Sequence, residues 1–247
     1  MQELTSKPPL PGISSVQFTK SYFDIKFTDG GHHITLVHLG GALPKTQIEI
    51  PRFGGGLLSA GLPVNHLSIA DPNTSLAASH STGWYSGHQN FDAMKWIPKV
   101  VSHFAGDSKI IYFGSSAGGY GALVHSARTA NSSCIAVNPR TALYQMPSKF
   151  PNYASQTFRN CSESDVQEKI EIRAWDPHRI GSTPIWYLQN RQDTMYWNNH
   201  YLPFRKNMKA NSNVHYIIGD WGKGHVVPPR DLLTKTLRKV ISETLEA

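Results

Sequence analysis

Lys109-Ile110-Ile111-Tyr112-Phe113-Gly114-Ser115-Ser116-Ala117-Gly118-Gly119-Tyr120-Gly121-Ala122-Leu123-Val124 reads as a strand that turns directly into a helix. Ile110 to Phe113 is apolar and β-prone, the composition of a parallel strand buried on both faces. Gly114 to Gly118 supplies G-x-S-x-G with Ser116 at its centre, and from Gly119 the pattern turns helical. A strand that reverses this tightly forces its turn residue into a strained conformation, and small neighbours let the flanking backbones close up. The Ser116 hydroxyl is thereby pushed out above the sheet edge, with the Ala117 amide pointing into the same space. A dinucleotide site would need G-x-G-x-x-G, and a P-loop would need Gly-Lys followed by Ser or Thr. Neither is present.

Working outward, strands are expected at Val16–Thr19, Phe23–Phe27, His33–His38, Val64–Ala70, Ser133–Val137, Pro184–Leu188 and Val214–Ile218. Helical spacing runs over Phe91–Phe104, interrupted by Pro98, and over Leu232–Leu245, with weak helical character near Val166–Ile172. Gly54-Gly55-Gly56 reads as a flexible loop. Strands that alternate with helices give an α/β fold, a mostly parallel sheet with helices on both faces. Ligands of such sheets bind beyond the carboxyl ends of the strands. Ser116, Asp193, His225 and Gly40-Gly41 all fall just past such ends.

A serine hydroxyl is a poor nucleophile unless an adjacent base takes its proton, and an imidazole titrating near neutrality is the usual base. His225 stands in the loop after the last strand. The imidazole needs an acceptor on its other nitrogen, and Asp193, following the strand that ends at Leu188, is the first choice over Asp165, Asp176 and Asp220. An Asp in that place also suits a local cap. Two backbone donors are required for a developing oxyanion: Ala117 N–H is one, and Gly40 or Gly41, in His38-Leu39-Gly40-Gly41-Ala42, supplies the other. Ser115, Trp84, Tyr85 and Trp197 are candidates for the substrate cleft; aromatics such as these serve equally well as packing.

The 247 residues suit one domain over 1–247 with a core that needs no staples. Cys134 and Cys161 are the only cysteines; Cys134 lies in an apolar run, so a buried free thiol is expected. The net charge of +7 is dispersed, and its densest group, Lys235, Arg238 and Lys239, reads as a solvated helix face, with no nucleic-acid stripe. No stretch approaches the ~20 apolar residues of a membrane span, and the polar N-terminus has no apolar leader core. A cytoplasmic location is the simplest reading. The histidines His32, His33, His38, His80 and His88 lack metal-ligand spacing, so no metal and no cofactor is expected. Oligomeric state is not legible.

Gly114-Ser115-Ser116-Ala117-Gly118, the order Ser116, Asp193, His225, and Gly224-His225 resemble the α/β-hydrolase superfamily over almost the whole chain. The resemblance implies an eight-stranded sheet whose second strand is antiparallel, and a cap inserted at about 140–182. Leu39 departs from the glycine that commoner patterns carry after the histidine. Gly83-Trp84-Tyr85-Ser86-Gly87, Asn138-Pro139-Arg140-Thr141 and Gln189-Asn190-x-x-Asp193 are similar to hydrolase-like proteins associated with bacterial surface polysaccharides. The implied activity is a serine esterase acting on a small-molecule or carbohydrate ester through an acyl-enzyme. Two alternatives stand beside it: an acyltransferase to a sugar hydroxyl, and a non-catalytic hydrolase-like protein of polysaccharide assembly.

Overall fold

The computed structural model describes residues 10–18, 21–44, 49–74, 76, 81–145, 150–162, 164–166 and 180–246. Its centre is one sheet of β1 (Gly12–Phe18), β2 (Ser21–Thr28), β3 (Ile34–Leu39), β4 (Asn65–Ile69), β5 (Lys109–Ser115), β6 (Ser132–Val137), β7 (Ile185–Asn190) and β8 (Val214–Gly219). The strand order is β1-β2-β4-β3-β5-β6-β7-β8. β2 runs antiparallel to both of its neighbours, and every other pairing is parallel. The eight-stranded, mostly parallel sheet and the antiparallel second strand are those expected.

The apolar strands are apolar throughout because both faces are covered, and their two-residue period tells the faces apart. Leu36, Ile111, Phe113, Ile135, Val137, Trp186 and Leu188 face the C-terminal helix, where Leu237, Val240 and Ile241 meet them. Val37, Leu39, Ile110, Tyr112, Cys134, Ala136, Ile185 and Tyr187 face a larger second layer. That layer contains α2 (Ala93–Ala105), α3 (Ala117–Ser126) and α4 (Phe150–Thr157). It also contains α5 (Thr194–Tyr196), which passes through a π-helical turn at Trp197–Tyr201 into α6 (Leu202–Asn207). A short α1 (Gly56–Ser59) and the long α7 (Arg230–Glu246) complete the described helices. On α7 the apolar residues Leu237, Val240 and Ile241 are buried, while Lys235, Arg238 and Lys239 are exposed, the solvated basic face expected.

Several boundaries differ from the sequence reading, each for a local reason. α2 starts at Ala93 because the Asp92 carboxylate accepts from Lys95 N at 3.0 Å, which places the cap one residue after the first apolar position, Phe91. Gly56 opens a helical turn inside the stretch read as a flexible loop. The helical run from Thr194 was hidden by its aromatic density, and α4 by a sequence without clear period. Within the cap expected at about 140–182, the described residues show α4 docked on the 83–91 loop, where Gln89 N donates to Thr157 O at 3.1 Å. Trp175, Asp176 and most of the weak helix expected near Val166–Ile172 lie outside the described residues, as does Thr19. Cys134 is a buried free thiol, pushed up to about 12 by its burial. Cys161 likewise forms no disulfide.

Candidate active site

The turn between β5 and α3 is built as the sequence demands. Ser116 has φ +54° and ψ −111°, a conformation that costs about 1–3 kcal/mol and needs its surroundings to enforce it. The enforcement comes from close backbone packing. A Cβ on Gly114 would sit 2.1 Å from Gly118 O, and one on Gly118 would sit 2.0 Å from Leu39 O. Ser116 N donates to Val137 O at 2.9 Å, and Arg140 N donates to Ser116 O at 3.1 Å, tying the turn to the end of β6. Ser116 occupies the N-cap position of α3 but makes no capping bond, so Oγ is left to the site. The Ala117 amide belongs to the first turn of α3, where N–H groups have no partner inside the helix.

Beyond β7, Asp193 carries out two tasks with one carboxylate. Oδ1 caps α5 by accepting from Tyr196 N at 3.2 Å, and Oδ2 lies 2.5 Å from His225 Nδ1. The cap and the histidine partner, weighed above as rival readings, coexist. The other aspartates are elsewhere: Asp165 accepts from Ser162 N and Oγ at 3.0 and 2.7 Å, and Asp220 lies 3.5 Å from Arg191 Nη1 on the surface. Asp193 is buried while the His225 side chain is 38% exposed, so the pair has one face on protein and one on solvent.

The loop that carries His225 is held by side chains that sequence reasoning did not single out as positioning groups. Asn190 Nδ2 donates to Gly222 O at 2.7 Å and to Gly224 O at 2.8 Å, and its Oδ1 accepts from Trp221 N and Gln192 N. Asn138 Nδ2 donates to Val226 O at 2.8 Å, and Asn138 Oδ1 accepts from Asn190 N at 2.7 Å. Asn138 has φ +40°, a left-handed conformation that asparagine tolerates better than most residues. The signal was present in Asn138-Pro139-Arg140-Thr141 and Gln189-Asn190, noted only as part of a resemblance.

At the end of β3, Gly40 N already donates to the Tyr85 hydroxyl at 2.6 Å. Gly40 is therefore corrected as an oxyanion donor, and Gly41 is the candidate that remains at that loop. A Cβ on Gly41 would lie 3.6 Å from Ser115 O, which sets the loop against the end of β5. Tyr85 is 2% exposed, its backbone carbonyl bonded by the neutral His125 ring at 3.0 Å. Burial lowers His125 to about 3. Asp71 organises the same loop by accepting from Thr82 Oγ1 at 3.0 Å and Gly83 N at 2.6 Å, and burial raises its carboxyl above the usual range. Trp84, expected at the cleft, is a core residue instead, packed edge-on against Tyr153. Trp197 is half-buried against Tyr201, and Ser115 lines an open cleft of ≈ 780 Å³ with His38, His66, Leu57 and Val227. A second cleft of ≈ 490 Å³ is bordered by Gly40, Gly41, Arg52 and Tyr85. No cluster of three or more metal-ligating side chains occurs among the described residues.

Tyr196, which sequence reasoning does not single out, stands at the centre of the arrangement. Its hydroxyl is 3.2 Å from Ser116 Oγ, and its ring stacks on His225 with centroids 4.0 Å apart and planes at 29°. Arg140 Nη2 donates to the same hydroxyl at 3.0 Å.

No protein-family model matches the sequence. No curated protein matches it either. Solved structures do. The capsule O-acetyltransferase of Neisseria meningitidis serogroup A superposes with a TM-score of 0.67 at 11% identity, covering 97% of this chain and 98% of that one. An S-formylglutathione hydrolase from Agrobacterium tumefaciens gives 0.63 at 13% identity, over 95% and 94% of the two chains. The esterase Pf2001 of Pyrococcus furiosus gives 0.57 at 18% identity, over 95% and 91%. The chain has the α/β-hydrolase fold. No helix among the described residues is long and apolar enough to cross a membrane.

Proposed function

We propose that this chain is a serine hydrolase that cleaves a carboxylic ester through an acyl-enzyme, with Ser116 as nucleophile, His225 as general base and acid, and Asp193 as the acceptor that orients it. The observation that carries the reading is the Asp193 Oδ2 to His225 Nδ1 contact of 2.5 Å, made at the same sheet edge as the strained Ser116 turn. With Nδ1 engaged by a carboxylate, Nε2 is the nitrogen that takes the Ser116 proton as Oγ bonds to the ester carbonyl carbon. The carbonyl oxygen then carries the negative charge, received by Ala117 N–H and by the loop at Gly41. His225 returns the proton to the leaving alcohol and next activates the water that releases the acid. The segment at about 140–182 is read as a cap over this one catalytic unit.

Transfer of the acyl group to a sugar hydroxyl is the second reading, favoured by the likeness in fold to the neisserial capsule O-acetyltransferase along nearly the full length of both chains. It shares the first half-reaction and differs only in the acceptor. Ser116→Ala is expected to reduce hydrolysis of p-nitrophenyl esters to background and to abolish fluorophosphonate labelling, with the fold intact by circular dichroism. Turnover retained in that variant would sink both readings. Product analysis with and without a sugar acceptor separates them.

A further inference from the structure

Among the described residues, the side-chain hydrogen bond of Ser116 Oγ goes to the Tyr196 hydroxyl. The direction of that bond follows from what lies behind it. Arg140 Nη2 is 3.0 Å from the same oxygen, and a guanidinium has donors only, so Tyr196 accepts there. A phenol owns one hydrogen. Among the described residues its other hydrogen-bond neighbour is Ser116 Oγ, so the one hydrogen of the phenol has the serine oxygen as its available acceptor, and donation in that direction leaves the serine's own hydrogen for His225. The tyrosine face meanwhile supports the His225 ring, a contact that favours the cationic imidazole formed when the proton arrives.

Arg140 is otherwise hard to account for. It is 6% exposed, has no carboxylate partner among the described residues, and its Nη1 is buried without a hydrogen bond. Arginine cannot shed its proton, so a buried guanidinium with no carboxylate beside it among the described residues is costly to keep. Its backbone is fixed by the bond from Arg140 N to Ser116 O, and its side chain lies over the Tyr196 ring at 5.2 Å. These contacts all converge on Tyr196 and the serine.

We infer that Tyr196 is a catalytic residue that donates a hydrogen bond to Ser116 Oγ while negative charge builds there, and that Arg140 is the positioning residue that fixes the direction of that donation. This rests on the serine-hydrolase reading above. In the step concerned, the Ser116 O–H bond breaks, its proton moves to His225 Nε2, Oγ bonds to the carbonyl carbon, and the carbonyl π pair becomes the oxyanion. The Tyr196 proton stays on Tyr196 throughout.

Tyr196→Phe keeps the ring under His225 and removes only the hydroxyl. It is expected to lower kcat and the rate of fluorophosphonate labelling together, by about 10²-fold, with KM for a p-nitrophenyl ester within about twofold of the parent. Arg140→Lys is expected to cost about tenfold in the parent and nothing further in the Tyr196→Phe background, because it acts through the hydroxyl. If Tyr196→Phe turns over within about twofold of the parent while Ser116→Ala is inert, the inference fails and the hydrolase reading stands. A rise in KM at unchanged kcat would reduce Tyr196 to a substrate contact and overturn it equally. Turnover in Ser116→Ala would remove the reading itself, and the inference with it.

Discussion

Asp193 Oδ2 lies 2.5 Å from His225 Nδ1 across 32 residues of chain, and the other oxygen of the same carboxylate caps the helix that carries Tyr196. One buried side chain thus sets the orientation of the imidazole and the start of the element on which the imidazole stacks. An asparagine at 193 separates these tasks. Its Oδ1 can still accept from Tyr196 N, so Asp193→Asn is expected to lose little stability. Its amide, however, presents a donor to Nδ1 and selects the wrong tautomer of His225, and kcat should fall by about 10³–10⁴-fold. Asp193→Ala should show the same loss of activity and a further loss of about 1 kcal/mol for the missing cap. Ester hydrolysis and thermal melts of the two variants check both halves. Equal stability of the two would contradict the double role.

Asn190 is expected to matter for activity although it need not touch a substrate. Its four hydrogen bonds tie the end of β7 to Gln192, Trp221, Gly222 and Gly224, the backbone on either side of the Asp193 turn and leading to His225. Asn190→Ala leaves buried backbone groups without partners, at about 1–3 kcal/mol for each one that water cannot reach. The expected outcome is a melting temperature lower by several degrees and a fall in kcat measured well below that temperature, as the His225 loop loosens. An unchanged kcat would mean that the Asp193 contact alone positions the ring.

The strain at Ser116 gives an opposite pairing of stability and activity. At φ +54° and ψ −111°, serine pays a conformational cost that glycine avoids. Ser116→Gly is therefore expected to be inactive and more stable than Ser116→Ala by about 1–2 kcal/mol, measured by denaturant unfolding. A glycine variant no more stable than the alanine variant would mean that the turn is relaxed in solution.

The parts of this fold that were legible from sequence are those in which a short pattern has one physical solution. The apolar run Ile110–Phe113, followed by Gly114-x-Ser116-x-Gly118 and a helical pattern, reads as a buried strand packed hard against a following helix. Placing Asp193 and His225 just past strand ends required only the apolar, β-prone runs at Pro184–Leu188 and Val214–Ile218. What stayed hidden depends on where distant side chains meet. Nothing near Gly40 announces that Tyr85 occupies its amide, because the two are joined through a loop folded around buried Asp71. Tyr196 is one aromatic among several in the sequence, and only the tertiary path of α5 puts its hydroxyl beside Ser116. Trp84 carried the same sequence signal and went to the core.

Buried neutral histidines give the chain an acid-sensitive fold. His125 is fully buried, and burial lowers it to about 3 from an ordinary value near 6.5. Below about pH 6.5 the unfolded chain takes up a proton at this ring while the folded chain does not, so stability falls as pH is lowered toward 3. The slope is about 1.4 kcal/mol per pH unit for each such group, and His200, also lowered to about 3 by burial with Arg140 and His225 adding to the effect, contributes in the same window. His125→Gln removes one titrating ring while its amide can still donate toward Tyr85 O. Its unfolding free energy should therefore depend on pH between 6 and 4 with a slope shallower by the equivalent of one proton. A parallel pair of curves for parent and variant would show that the ring is already protonated in the folded chain.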